Sequence, residues 1–302
     1  MSTLQDSDLP AFFVQADRES NAAQRATLRA TQARLLGAVA AAVGGAFSLS
    51  LQQVDIWAWV ALIGFLVALV SELYLALATP EKRWYQARAG AESAKTLSWR
   101  FAVGADPFFL SLRDDTADSL FRQRIIQVAR QVTDSVQLPK GDATAPTDGM
   151  IALRGADLDT RRVTYLRDRT RAQRDWYTDK AKFNRSRAVF WRVSLISAEV
   201  VAVVLAAGRV FAGWEIDAAG ILAALIGAGA AWLAVKQHST LRAAYSLTAA
   251  ELERQMVSVR SASTEDTWAQ SVADAEEAIS REHTMWLASR GEVNEDVGRP
   301  PL

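Results

Sequence analysis

The sequence contains no cysteine, which excludes disulfides, Cys-ligated zinc or iron–sulfur centres and any thiol nucleophile. Histidine is almost as scarce: His238 and His283 are the only two, and neither sits in an HExxH or comparable spacing, so no metal site is expected. A charge excess is missing as well. Lys plus Arg and Asp plus Glu each number 34, whereas a chain that binds nucleic acid normally shows a basic surplus or a basic face. No Walker-type glycine loop, Rossmann glycine set or GxSxG elbow occurs, nor any convergent acid, base and nucleophile. The reading is a protein with no enzymatic activity, no cofactor and no nucleic-acid partner. A secretory leader is not expected either, because Asp6, Asp8, Asp17 and Glu19 occupy the region where a signal peptide carries a short basic start.

Hydrophobic residues make up 50% of the chain and gather in four runs. Leu35 to Leu51 and Ile56 to Ala78 are separated only by Gln52, Gln53, Val54 and Asp55, the pattern of a helical hairpin. A second pair, Val189 to Val210 and Ile216 to Val235, is joined by the turn from Phe211 to Glu215. About 20 apolar residues cross a bilayer at 1.5 Å per residue; the first run needs part of its flanks to reach that length. Cations lie on one side only. Arg25, Arg29 and Arg34 precede the first run, Lys82, Arg83 and Arg88 follow the second, Lys180, Lys182, Arg185 and Arg187 precede the third, and Lys236 and Arg242 follow the fourth. Only Arg209 lies at a turn edge, so both termini and the long middle segment are expected in the cytoplasm. The expected fold class is an all-α integral membrane protein, with four transmembrane helices in two helical hairpins, cytoplasmic helical extensions and the lipid bilayer as a partner.

The two hairpins read as copies of one unit. Gln24 stands 11 residues before Leu35 and Asn184 stands 11 before Leu195, while Tyr85 with Glu92 and Tyr245 with Glu251 follow the hairpins on helical stretches. The expected units are residues 1–136 and 151–302, with 137–150 as a linker of turn composition. Asp114 and Asp115 open an amphipathic helix through Leu120, Phe121, Ile125, Val128 and Val132. Ile151 to Asn184 reads as a highly charged helix projecting into the cytoplasm. Near the C-terminus, Trp268, Val272, Ala275, Ile279 and Trp286 form one stripe that needs a partner; the face opposite is acidic, which favours other cytoplasmic helices over a membrane surface.

Glu199 and Glu72 are the costly residues, since an ionisable group in hydrocarbon is unfavourable by a few kcal/mol. They line an ion path, or one or both are protonated or bonded to a neighbouring helix, or Glu72 reaches the headgroups. Arg192 lies within about one turn of the polar flank and can snorkel. Gly37, Ala41 and Gly45 form a small-residue stripe, as do Ala223, Gly227 and Ala231, and these are expected to be helix contacts, more within the chain than between subunits. Trp84, Glu92, Lys95, Trp99 and Arg100, with Trp268 and Trp286, are candidates for a cytoplasmic partner surface. A structural role competes, because Trp84 with Tyr85 fits an interfacial belt and Glu92 with Lys95 an ordinary helix pair.

The run Trp84, Tyr85, Arg88, Ala91, Glu92, Lys95, Trp99 and Arg100 resembles the SLATT membrane effectors. Gln173, Trp176, Tyr177, Lys180, Ala181 and Asn184 match it before the second hairpin, and Glu276, Ile279, Ser280, Glu282, His283 and Trp286 near the end. The resemblance covers nearly the whole chain, in a form with two SLATT units. It implies a pore-forming effector of a prokaryotic conflict or antiphage system, with a nucleotide-generating or nucleotide-sensing partner protein. Four spans seldom enclose a wide pore, so a homo-oligomer is expected. The alternative is a non-pore scaffold whose cytoplasmic helices recruit a partner protein.

Overall fold

The computed structural model describes residues 3–47, 50–51, 54–213 and 218–288, with residues 50, 51, 54 and 281–288 described as backbone alone. The helices are α1 (Ala11–Ala46), α2 (Ile56–Ala78), α3 (Pro80–Val103), α4 (Asp114–Gln131), α5 (Asp148–Arg154), α6 (Leu158–Tyr165), α7 (Ala172–Ala212), α8 (Ala218–Lys236), α9 (His238–Ser261) and α10 (Glu265–Ala288). A wide π turn, Leu166–Arg171, joins α6 to α7. The chain divides into two compact units, each drawn from distant stretches of sequence. A polar unit comprises Met1–Ala22, Lys82–Ala181 and Ala243–Leu302; an apolar unit comprises Ala23–Glu81 and Lys182–Arg242.

The polar unit has an ordinary core. On α4 the expected apolar face buries Phe121 and Ile125 with Ala117 and Ala129, and on α10 Trp268, Val272, Ala275 and Ile279 are buried. Burying side chains of this size contributes roughly 1.5–3 kcal/mol each. Tyr165 stands edge-on between Trp99 and Trp268, with ring centroids at 5.8 and 5.9 Å. The stripe on α10 therefore finds its partner among the other helices of this unit. The segment from Ile151 to Asn184 departs from the expected projecting helix: it breaks into α5, α6, the π turn and α7, and Arg154, Arg161 and Arg169 are buried. Buried guanidinium groups are tolerated because carbonyl and carboxylate oxygens meet them.

The apolar unit is built the other way round. Among the described residues, three helical runs are long and apolar enough to cross a membrane: Ile56–Ala78, Leu158–Ala212 and Ala218–Ser261. Their most apolar windows are 6%, 0% and 0% buried, whereas a soluble chain keeps exposed apolar patches small. The first expected span is corrected. Instead of a helix from Leu35 to Leu51, α1 stops at Ala46, and Ser50–Leu51 pairs antiparallel with Val54–Asp55. From Leu35 the apolar part of α1 is only about 18 Å long at 1.5 Å per residue, short of a bilayer core. Asp55 caps α2 by accepting from the backbone N–H groups of Trp57 and Ala58.

α1 and α2 meet backbone to backbone. A Cβ at Gly37 would fall 2.6 Å from the Gly64 carbonyl oxygen, one at Gly44 2.5 Å from the Ala61 nitrogen, and one at Gly64 2.6 Å from the Ala41 nitrogen. The stripe that makes contact is thus Gly37, Ala41 and Gly44, while Gly45 has nothing within 4 Å. In the second pair Gly227 likewise faces open space, and it is Gly229 that approaches α7: a Cβ there would fall 3.0 Å from a Leu195 methyl. The end of each second helix is alike. Thr79 (φ 40°) separates α2 from α3 and Gln237 (φ 46°) separates α8 from α9, both in a left-handed conformation uncommon for residues other than glycine.

Candidate functional site

Two groups of polar residues stand out, one in each unit. In the apolar unit, Glu72 on α2 is paired with Arg34 on α1, Oε2 to Nη1 at 2.5 Å, so the neighbouring helix supplies its counter-ion. Glu199 has no such arrangement. It is exposed on α7 between Ile196, Val200 and Val203, which are 53%, 59% and 69% exposed, and among the described residues nothing pairs with it. Arg192, about two turns earlier on the same helix, is exposed too.

In the polar unit the centre is Glu276, which is 0% exposed. Arg169 grips its carboxylate at both oxygens, Nε to Oε1 at 2.9 Å and Nη2 to Oε2 at 2.7 Å. Tyr165 donates its hydroxyl to Oε1 and Thr96 donates to Oε2, each at 3.0 Å. Such charge-assisted, bidentate bonding is what lets a carboxylate remain inside a protein. The guanidinium is delivered by the π turn, a motif frequent at functional sites; its Nη1 is buried without a hydrogen-bond partner. Burial opposes the charge on Arg169, but the charge and hydrogen bond of Glu276, with Glu92 and Tyr165 adding to them, raise its pKa above the ordinary arginine value. Burial first, and Glu276 second, push the Tyr165 hydroxyl well above its usual range.

Two further arginines finish this interior. Arg161 donates to the Val103 and Ala156 carbonyls at 2.8 and 3.0 Å and to Glu265 at 2.5 Å. Arg154 donates to the carbonyls of Phe101, Phe108 and Phe109 at 3.2, 2.7 and 2.9 Å, and burial draws its pKa below the ordinary arginine value. The buried carboxylate and guanidinium groups neutralise and orient one another. Among the described residues no cluster of three or more His, Asp or Glu could hold a metal ion.

Of the residues proposed for a partner surface, Trp99 and Trp268 are instead in the core, at 2% and 0% exposure. Trp268 donates its indole N–H to the Val103 carbonyl at 2.8 Å. Glu92 pairs with Arg88 at 2.7 Å, Lys95 with Asp6 at 2.6 Å, and Arg100 donates to the Ala273 carbonyl at 2.9 Å. Trp84 is half-buried beside Tyr85, with ring centroids at 4.9 Å. The Trp286 side chain lies outside the described residues, as do those of Glu282 and His283. Sequence reasoning missed the Thr96, Tyr165 and Arg169 shell around Glu276, although Arg154, Arg161 and Arg169 recur seven and eight residues apart in the sequence.

Two family models match the chain in tandem: SMODS and SLOG-associating 2TM effector domain 3 over residues 10–162, and domain 1 of the same series over residues 165–286. The chain belongs to the SLATT family. Neither a curated protein nor a solved structure matches it. SLATT domains are associated with conflict and defence effector systems, and with the apolar helices they point to the membrane. The SLATT residues noted in the sequence are mostly structural here. Glu276 anchors the buried carboxylate cluster, Trp99 packs on Tyr165, and Trp176, Tyr177 and Tyr245 form a three-ring group with centroids 5.1 to 5.6 Å apart. Asn184 accepts from His238 Nδ1 at 2.7 Å.

Proposed function

We propose that this SLATT protein is a non-enzymatic membrane effector that crosses the bilayer four times, with both termini cytoplasmic, and assembles from several copies into an ion-conducting or membrane-disrupting path. One observation carries the reading: Glu199 sits near the middle of an apolar helix, facing outward among exposed Ile and Val with nothing among the described residues to pair with. A carboxylate directed at lipid costs a few kcal/mol. A second copy packed on that face, or water between copies, removes the cost, and a ring of such carboxylates is how cation paths are lined. The Arg34–Glu72 pair gives the short apolar part of α1 a polar anchor at one end, and snorkelling with local thinning of the bilayer accommodates its length.

The polar unit would receive the signal. The family description names association with SMODS and SLOG domains, which supports a nucleotide-generating or nucleotide-sensing protein as the activator. Scaffolding by the tryptophans is the weaker reading, since Trp99 and Trp268 are buried. The test is ion flux in liposomes with full-length protein, wild type against Glu199→Gln at matched insertion. A pore predicts flux whose conductance or cation preference changes with the substitution. Absence of flux from inserted protein, with partner-derived nucleotides supplied, would overturn the pore and leave a scaffold.

A further inference from the structure

A cavity of about 520 Å³ lies where α7 passes the junction between α8 and α9. Its lining is divided by chemistry and, apart from Ala188 at the polar end, by level. Arg192 on α7 and Gln237, His238, Ser239 and Thr240 at the junction supply the polar part; Leu195 and Ile196 of α7 and Leu233 of α8, nearer the α7–α8 turn, supply the apolar part. His238 is 8% exposed and fixed through its Nδ1 donation to Asn184. The Gln237 amide oxygen is buried and has no hydrogen-bond partner among the described residues, on a residue held at φ 46°. Buried oxygens of this kind are rare in proteins, and each has a structural reason or a donor that satisfies it.

The surroundings are cationic. From Lys182 to Arg192 the sequence holds Lys182, Arg185, Arg187 and Arg192 with no acid, and Lys236 to Arg242 contains none either. Aromatic rings steady two of these cations: Arg187 lies over Phe183 at 5.3 Å, and Lys236 over Trp232 at 5.1 Å. A volume of this size suits a small-molecule group. An anion above and an apolar tail below is the chemistry of a phospholipid at the end of a membrane helix.

We propose that this cavity binds one anionic glycerophospholipid, with Arg192 and the Ser239 and Thr240 hydroxyls on its phosphate, Gln237 accepting from a headgroup hydroxyl, and acyl chain along Leu195, Ile196 and Leu233. The site requires α7 and α8 to lie in a bilayer, but it does not require the protein to conduct ions. Flotation with liposomes checks the first condition separately.

The experiment is native mass spectrometry of the full-length, delipidated protein titrated with phosphatidylglycerol, with diacylglycerol of the same chains, and with inorganic phosphate. One phosphatidylglycerol per chain is expected, weakened about tenfold or more by Arg192→Gln and by Gln237→Leu, and unchanged by Arg209→Gln outside the cavity. Ser239→Leu, which fills the cavity without removing a charge, should weaken it as well if Arg192→Gln does not fold. Equal binding of diacylglycerol would overturn phosphate recognition, and equal competition by inorganic phosphate would overturn the lipid. Phosphatidylglycerol binding that survives every cavity variant would overturn the site.

Discussion

The two hairpins share a plan and differ in how they close. α1 and α2 touch through Gly37, Gly44 and Gly64, with no room for a single Cβ between the backbones. α7 and α8 are held apart by side chains: Gly229 meets Leu195 and Trp191, Gly227 meets nothing, and a cavity opens at the far end. The first hairpin also neutralises its carboxylate internally through Arg34, whereas Glu199 of the second is left facing outward. A duplicated element has thus become a tight clasp in one copy and an adaptable, charge-bearing one in the other.

The largest change that calibrates this contrast lies outside both hairpins. Glu276→Ala strands Arg169 in the interior and is expected to cost about 3–5 kcal/mol in thermal or denaturant unfolding; replacing both residues by apolar ones should recover most of it. Gly64→Leu should follow at about 3 kcal/mol, because the intruding side chain meets backbone that cannot yield, while Gly227→Leu should cost less than about 0.5 kcal/mol. Equal losses at the two glycines would erase the proposed difference. Glycine at the left-handed positions should stabilise, by about 1 kcal/mol for the β-branched Thr79 and less for Gln237. The finest comparison is a double-mutant cycle on Arg34 and Glu72, where two partly exposed side chains should show a coupling under about 1 kcal/mol.

Helix type and the faces of α4 and α10 were legible because periodicity reports burial directly: Phe121, Ile125, Trp268 and Val272 all fall where spacing put them. Three apolar helices were legible for the same reason. The end of α1 was not, since the run from Leu35 to Leu51 carries no charge and composition does not register that Ser50 and Leu51 turn into a strand. The glycine contacts were half-read. A period of four picked Gly45, but helices in close contact use positions four and then three apart, which selects Gly44. The carboxylate cluster was hidden for a different cause: charge in a helix is ordinarily solvated, and only three-dimensional pairing turns Arg154, Arg161 and Arg169 inward. Trp99 and Trp268 resisted assignment because a tryptophan serves a core and a docking surface equally well.

The buried core of the polar unit draws on both family domains at once. Thr96 and Val103, from the first, bond Glu276 and Trp268 of the second; Arg100 reaches Ala273, and Arg161 reaches Glu265. Tyr165, the first residue of the second match, is wedged between rings from each. A gene divided at this seam would yield two polypeptides, each missing half of a shared interior. The two domains are therefore inherited as one indivisible piece, the second free to change only in ways the first can accommodate.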